Sequence, residues 1–164
     1  MTIYIKNKYR LQVDDFTFKC CIGKNGLSKK KREGDKKTPI GRFSIENLYY
    51  RSDRIKKPIT KLKCIKIKKK MGWCDDPFNQ KKYNKLVFII KGTKCEKLYR
   101  KDHKYDLLIP IKYNFHKKIV GKGSCIFLHL TKNYAPTANT TNRTQRPSTP
   151  EQSITCDHLI GSAF

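Results

Sequence analysis

The residue whose type and position best suit acid–base chemistry is a histidine that ends an apolar run. His129 closes the sequence Cys-Ile-Phe-Leu-His at 125–129, and Tyr-Ala-Pro-Thr-Ala follows at 134–138. A histidine titrates near neutral pH and can deprotonate a hydroxyl or a thiol. Taken alone, a histidine at a strand end is as often a hydrogen-bonded structural residue as a base, so the surrounding sequence must decide between the two.

Three other places in the chain contain residues that could carry chemistry. Asp75 and Asp76 could be paired carboxylates, but the proline that follows them favours a turn. His103, in the sequence Lys-Asp-His-Lys-Tyr-Asp, is either a loop residue or a substrate contact. Cys156, in Ile-Thr-Cys-Asp-His, has a catalytic composition but no glycine turn beside it. We therefore interpret Cys156 as part of a tail.

The cysteines do not have the spacing of a metal site or of a disulfide framework. There are 7, an odd number, and no Cys-x-x-Cys occurs. Cys20 and Cys21 lie in the apolar run 16–22, where a reduced cysteine behaves as a small core residue. We expect free thiols, no metal and no cofactor.

The net charge of +25 could direct the chain to nucleic acid, anionic lipid or an acidic cell-wall polymer. The alternative is solvated charge, because the lysines are spread almost evenly and accompany many Ile and Asn, whose codons share an A/T bias. Only residues 29–32 and 68–70 form short basic runs, and neither alternates with aromatic residues. Nucleic-acid-binding surfaces commonly combine basic with aromatic residues, so nucleic acid is the least favoured partner.

The elements that must position His129 are short strands. No helical period is sustained over three turns, whereas short apolar or alternating runs recur between turn signals. A domain of this length can bury a real core, and we expect a mostly β sandwich or a barrel-like pair of sheets. The predicted strands are residues 2–5, 9–13, 16–22, 42–50, 62–67, 86–90, 105–111 and 125–130.

The composition changes abruptly after Lys132. Lysine disappears, and Asn, Thr, Gln, Ser and Pro dominate residues 139–153. Such a stretch cannot bury enough apolar surface to order itself, so we predict a polar, disordered tail at 139–164 after a domain at 1–138. The break suggests two joined coding frames.

Several blocks of sequence occur together in an informative order. They are residues 31–43, 49–54, 72–77 with 83–87, 100–107, and 121–129. Each block alone is weak evidence for a family. Together and in this order, the blocks resemble the catalytic domain of the YkuD-type L,D-transpeptidases over roughly residues 20–138. The resemblance implies a mostly β, sandwich- or barrel-like catalytic domain that is truncated at its C-terminal end here.

The resemblance also implies an activity and a site. In this family a cysteine, in a Gly-Cys pair after the strand-end histidine, attacks a peptidoglycan stem peptide and releases its terminal D-alanine. An amine from a second stem then resolves the thioester into a cross-link, or water hydrolyses it. On that pattern His129 is the general base, and Thr137 and His103 are candidate substrate contacts. Thr140 stands at the nucleophile position.

The departure from the family pattern puts activity in question. Asn139 and Thr140 replace Gly-Cys, and a threonine hydroxyl is far less acidic than a thiol. We therefore expect an inactive or impaired enzyme of the cell wall. The alternatives are a non-catalytic binder of peptidoglycan or another polyanion, and, less favoured, a basic nucleic-acid-binding module.

The sequence gives two further expectations on location. The first 13 residues alternate apolar and charged side chains and lack the apolar run of a secretory signal. No stretch of the chain is apolar enough to span a membrane. The family implies the cell envelope or periplasm, whereas the chain as written predicts a cytoplasmic protein.

Overall fold

A computed structural model of the protein describes residues 2–7, 9–29 and 32–131, together with the backbone of 154–156. This part of the chain contains strands and turns and no helix, and therefore no helix that could cross a membrane. The strands are β1 Ile3–Asn7, β2 Arg10–Val13, β3 Phe16–Lys19, β4 Leu27–Ser28, β5 Thr38–Pro39, β6 Asn47–Tyr50, β7 Lys63–Lys66, β8 Met71–Trp73, β9 Leu86–Phe88, β10 Glu96–Lys97, β11 Leu107–Pro110, β12 Phe127–Leu130 and β13 Ile154–Cys156.

The central sheet has five strands in the order β13-β12-β11-β6-β7. All neighbours are antiparallel except β6 and β7, which pair in parallel. Two three-stranded sheets, β1-β2-β3 and β10-β8-β9, and the short pair β4-β5 complete the described architecture. These sheets remain open, so a mostly β fold is confirmed and it is layered rather than closed into a barrel.

The β1-β2-β3 meander covers one face of the central sheet. Its alternating strands turn Ile5 and Leu11 inward, and both side chains are buried in a cluster with Ile111 and Leu128. Because side chains alternate along a strand, Leu128 points to this side of β12 while its neighbours point to the other.

The β10-β8-β9 sheet covers the opposite face. Trp73 of β8 packs with Tyr49 of β6, Leu108 of β11 and Phe127 of β12 in a second buried cluster. His129 follows Phe127 by two residues and therefore lies on this same face of the central sheet. The fold thus places the predicted base between the central sheet and its second covering layer.

Most of the strands predicted from the sequence are present but shorter. The opening hairpin is confirmed, with Ile5 opposite Leu11, and the predicted strand at 42–50 begins only at Asn47. Within residues 42–46 the chain makes one isolated bridge, from Ile45 to Ile111. Strand β8 was missed because three residues show no period, yet all three are buried.

Strand β13 falls inside the segment predicted to be a polar tail. It pairs with β12 in antiparallel register and forms one edge of the central sheet. The boundary at residue 138 remains a prediction, since residues 132–153 and 157–164 lie outside the described part of the chain.

Candidate functional site

His129 is held rigidly near the end of β12. It is 2% exposed, and the register places it opposite Leu108 of β11 on one side and Thr155 of β13 on the other. The pairing of β12 on both edges fixes its backbone, and the buried cluster below fixes which way the ring points.

One hydrogen bond sets the tautomer of the His129 ring. Its Nδ1 lies 2.8 Å from the carbonyl oxygen of Leu130. A carbonyl oxygen can only accept, so Nδ1 carries the proton in the neutral ring. The atom of His129 that can take up a proton is therefore Nε2, the arrangement that a histidine base requires.

A chain of aromatic contacts supports the ring from below. The Tyr105 ring meets His129 edge-on at a centroid distance of 5.2 Å, and Phe127 meets Tyr105 at 5.9 Å. Trp73 in turn meets Phe127 at 5.5 Å. Edge-to-face pairs of this kind restrict the relative orientation of the rings as well as burying them. Strand β8 therefore helps to orient the His129 ring through Phe127 and Tyr105.

The loop of residues 101–106 lies directly beside the end of β12. The carbonyl of Lys104 accepts a hydrogen bond from Leu130 N at 3.0 Å, and Tyr105 of this loop is the residue that contacts the His129 ring. The backbone carbonyl of Asp106 accepts a bond from Arg51 N at the end of β6. The 101–106 loop thus bridges two strands of the central sheet at the site.

A buried carboxylate in this loop orients a second histidine. Asp106 is 4% exposed; its Oδ1 accepts from Arg54 Nη1 at 2.8 Å, and its Oδ2 lies 2.6 Å from His103 Nδ1. Since the carboxylate accepts, His103 Nδ1 donates, and Nε2 is left on a side chain that is 59% exposed. The hydrogen bond to Asp106 fixes the orientation of the His103 ring within the loop.

Two further arginines tie the same region together. The Arg51 guanidinium is buried, forms a bidentate pair with Asp53 at 2.8 and 2.7 Å, and stacks on the Tyr99 ring at 3.5 Å. The hydrogen bonds from Arg51 hold the pKa of the Asp53 carboxyl well below its usual range. Arg100 pairs with Asp102 in the same bidentate way.

These charged residues lie in the sequence blocks 49–54 and 100–107, but the sequence alone indicates no role for any of them. The partners of Arg54 stand 52 and 48 positions away, at Asp106 and at the carbonyl of Asp102, a separation that no local pattern reveals. The one available signal was the spacing of His103 and Asp106, three residues apart in a turn, which can bring the two side chains together.

Cys125 does not share the strand of His129, contrary to the alternating pattern of its sequence. It precedes β12 and has φ 54°, in the left-handed region. Its Sγ donates to the Trp73 carbonyl at 3.7 Å, and burial raises the pKa of the thiol well above its ordinary value. A thiol that resists ionisation is a poor nucleophile, so Cys125 is a packing residue.

Asp76 shapes a turn, as the following proline predicted for the Asp75–Asp76 pair. Asp76 Oδ1 accepts from Phe78 N at 3.1 Å, and the Asp76 carbonyl accepts from Asn79 N. Burial, together with the nearby charges of Glu33 and others, raises the pKa of the Asp75 carboxyl. The Trp73 ring is buried and donates from Nε1 to Asn84 Oδ1 at 2.9 Å.

The other predicted site residues lie where the structure gives no side chains. Thr137 and Thr140 are outside the described residues, so their roles remain predictions. For Cys156 the backbone register is known, and it pairs Cys156 with Leu128, while Thr155 pairs with His129. The side chains of Leu128 and His129 lie on opposite faces of the central sheet.

Two cavities lie near β8, and His129 lines neither. One, of about 130 Å³, is bounded by Tyr49, Trp73, Lys112 and Phe115, among others. The second, of about 200 Å³, lies around β9 and the turn that follows it. Within residues 2–7, 9–29 and 32–131, no group of three or more His, Cys, Asp or Glu could hold a metal ion.

Comparison with known proteins gives one result that agrees with the geometry. The YkuD family model, described as the L,D-transpeptidase catalytic domain, matches residues 1–149. No curated protein and no solved structure matches the chain. The resemblance read from the sequence blocks is thereby confirmed, and the chain belongs to the family of L,D-transpeptidase catalytic domains.

Proposed function

We propose that the site is that of a cysteine-dependent acyl transferase acting on peptidoglycan stem peptides, in which His129 is the general base and position 140 holds the nucleophile. In this chain position 140 is Thr140, so the activity is lost or severely impaired. The observation that carries the proposal is the His129 ring, buried at a strand end with Nδ1 bonded to a backbone carbonyl.

That geometry supports the chemistry of the first half-reaction. His129 Nε2 would take the proton of a thiol, and the thiolate would attack the carbonyl carbon ahead of the terminal D-alanine. The tetrahedral oxyanion then collapses, the C–N bond breaks, and the leaving amine takes the proton back from the imidazolium. A thioester remains for an acceptor amine or water to cleave.

A hydroxyl in the same place supports little of this chemistry. The histidine would have to remove a proton from a group far less acidic than a thiol. Loss of a nucleophile lowers turnover by several orders of magnitude. We therefore expect no measurable release of D-alanine by the natural sequence.

His103 and Thr137 are proposed to contact the stem peptide. His103 supports this role because Asp106 orients the ring while its Nε2 edge stays on an exposed side chain. An oriented and accessible imidazole can donate to or accept from a peptide group or a carboxylate of the substrate. Thr137 is proposed only from its place in the loop after His129.

The test compares the natural chain with N139G/T140C, which restores the family's Gly-Cys pair. Both are incubated with a disaccharide–tetrapeptide, and D-alanine release is followed by mass spectrometry. We expect release by N139G/T140C only, and its loss in N139G/T140C/H129Q. Turnover by the natural chain, or a folded N139G/T140C that H129Q does not affect, contradicts the proposal.

A second candidate function is binding without turnover, favoured by Thr140 together with the +25 net charge. Such a protein would keep its site and hold peptidoglycan or another polyanion. It predicts that the natural chain sediments with purified sacculi and that H129Q does not change this. A nucleic-acid-binding module would instead show a steep dependence of affinity on salt for DNA or RNA.

A further inference from the structure

Three large apolar side chains remain exposed around the larger of the two cavities. Phe78, Phe88 and Ile90 expose 88%, 68% and 71% of their surface. Phe88 and Ile90 line the cavity, and Lys94, which also lines it, places its Nζ 5.9 Å from the centroid of the Phe78 ring. The three apolar residues therefore belong to one continuous surface.

The same surface carries unpaired positive charge. Lys82, Lys91 and Lys94 line the cavity, and among the residues that the structure describes none of the three forms an ion pair. Asp76 is the acid that lines it, and its carboxylate is already bonded to the backbone of Phe78. We call these three lysines with Phe78, Phe88 and Ile90 the Phe–Lys surface.

The fold imposes the exposure of the apolar residues. Phe88 is the last residue of β9, and Ile90 lies two positions beyond it. Both stay exposed where they line the cavity, whereas Val87, which also lines it, is buried. The turn that follows is ordered: Thr93 N donates to the Ile90 carbonyl, and Ile90 N donates to Thr93 Oγ1, both at 3.1 Å. Gly92 has φ 83° in this turn, a conformation that glycine adopts freely.

We propose that the Phe–Lys surface docks the protein on a bilayer rich in anionic phospholipid. Large apolar side chains enter the boundary between headgroups and acyl chains, while lysine ammonium groups around them bind headgroup phosphates. The charge is complementary, since three lysines line the cavity without an ion pair in the described part of the chain, and the whole chain carries +25. Docking concerns a surface separate from His129 and does not depend on turnover there.

Ile90 favours a bilayer over nucleic acid. Phe78 and Phe88 could stack on bases, but an aliphatic side chain cannot, and Ile90 is 71% exposed beside them. In a bilayer both kinds of side chain gain by leaving water. The fold thus supplies the mixture of aromatic and basic residues that the basic runs of the sequence lack, in a form suited to lipid.

The test measures sedimentation of the full chain with vesicles of phosphatidylcholine alone and with about a third replaced by phosphatidylglycerol. Binding is expected only to the anionic vesicles. Each lysine near such a surface contributes about fivefold, so K82Q/K91Q/K94Q should lower the partition coefficient on the order of a hundredfold. I90S and F88S should each lower the partition coefficient by several-fold and at most about tenfold.

The chain offers a matched control at another exposed loop. Lys56, Lys57 and Lys61 are exposed and flank Ile59, which is fully exposed. K56Q/K57Q/K61Q removes the same charge, and I59S removes a similar apolar side chain. We expect both to change the partition coefficient by less than about threefold, since neither set lines the cavity.

Three results would overturn the proposal. One is an equal loss in the two lysine triples, which indicates attraction by total charge alone. Another is the absence of binding to anionic vesicles by a chain with a normal melting curve. The third is DNA or RNA binding that F78S and F88S weaken and I90S leaves unchanged, because that pattern assigns the surface to stacking on nucleic acid.

Discussion

Replacing the buried carboxylate beside the site, Asp106→Asn, should destabilise the fold measurably. Asp106 is 4% exposed and accepts from Arg54 at 2.8 Å and from His103 at 2.6 Å. Removing one partner of a buried ion pair costs about 3–5 kcal/mol when the remaining charge is fully desolvated. Arg54 is 23% exposed, and the new amide still accepts one hydrogen bond. We therefore expect a loss of about 2 kcal/mol in the free energy of unfolding.

Urea unfolding at neutral pH measures this loss as a lower midpoint concentration of urea. The dependence of the unfolding free energy on urea concentration is held the same for all variants. Asp102→Asn is the control on the same loop, since Asp102 is 38% exposed and pairs with Arg100, which is 33% exposed. A surface pair of this kind contributes less than about 1 kcal/mol. A D106N variant that unfolds at the urea midpoint of the natural chain, or a D102N variant with the larger loss, would refute the buried role of Asp106.

The remaining predictions concern the core, pH and the tail cysteine. Leu108→Ala, opposite His129 with 0% exposure, should cost about 3 kcal/mol in urea unfolding; a loss below 1 kcal/mol would contradict its place in the core. Burial raises the pKa of Cys20 from 9.0 to about 12, so the native state keeps this proton longer than the unfolded chain does. Its stabilisation is complete below pH 9 and is lost as the pH rises towards 12; C20A should flatten that decline in pH-dependent unfolding. C156S should not alter D-alanine release by N139G/T140C, because Cys156 is in register with Leu128 rather than with His129.

Those parts of the fold that rest on alternation could be predicted from the sequence. The hairpin of Ile3–Asn7 and Arg10–Val13 follows from its alternating pattern and a short turn. Strand β8 could not be predicted, because its three buried residues depend on long-range contacts. Gly72 is an example, since a Cβ there would lie 2.4 Å from Cys95 Sγ.

The candidate site likewise has one part that the sequence predicts and other parts that only the tertiary fold reveals. His129 is identifiable because it ends an apolar strand within a family motif. Its tautomer depends on a carbonyl whose direction only the folded backbone fixes. The pairing of Asp106 with Arg54 joins residues 52 positions apart. The sequence contains each of these residues, but the tertiary fold creates their relationship.

The basic surface shows why local sequence can mislead. The runs at 29–32 and 68–70 contain no aromatic residues, which argued against a composite binding surface. The fold brings Lys94 within 5.9 Å of the Phe78 ring and places it on one cavity with Phe88. Distribution in space, rather than in sequence, therefore decides what such a charge can bind.

Intact-protein mass spectrometry during incubation with a tetrapeptide stem tests most directly whether His129 serves a nucleophile at position 140. The natural chain is expected to keep its mass. N139G/T140C should gain a covalent acyl adduct that maps to the new thiol, and adding H129Q should slow its formation at neutral pH by about a hundredfold or more. An adduct on the natural chain, or one on N139G/T140C that forms equally fast without His129, would contradict the proposed roles of His129 and of position 140.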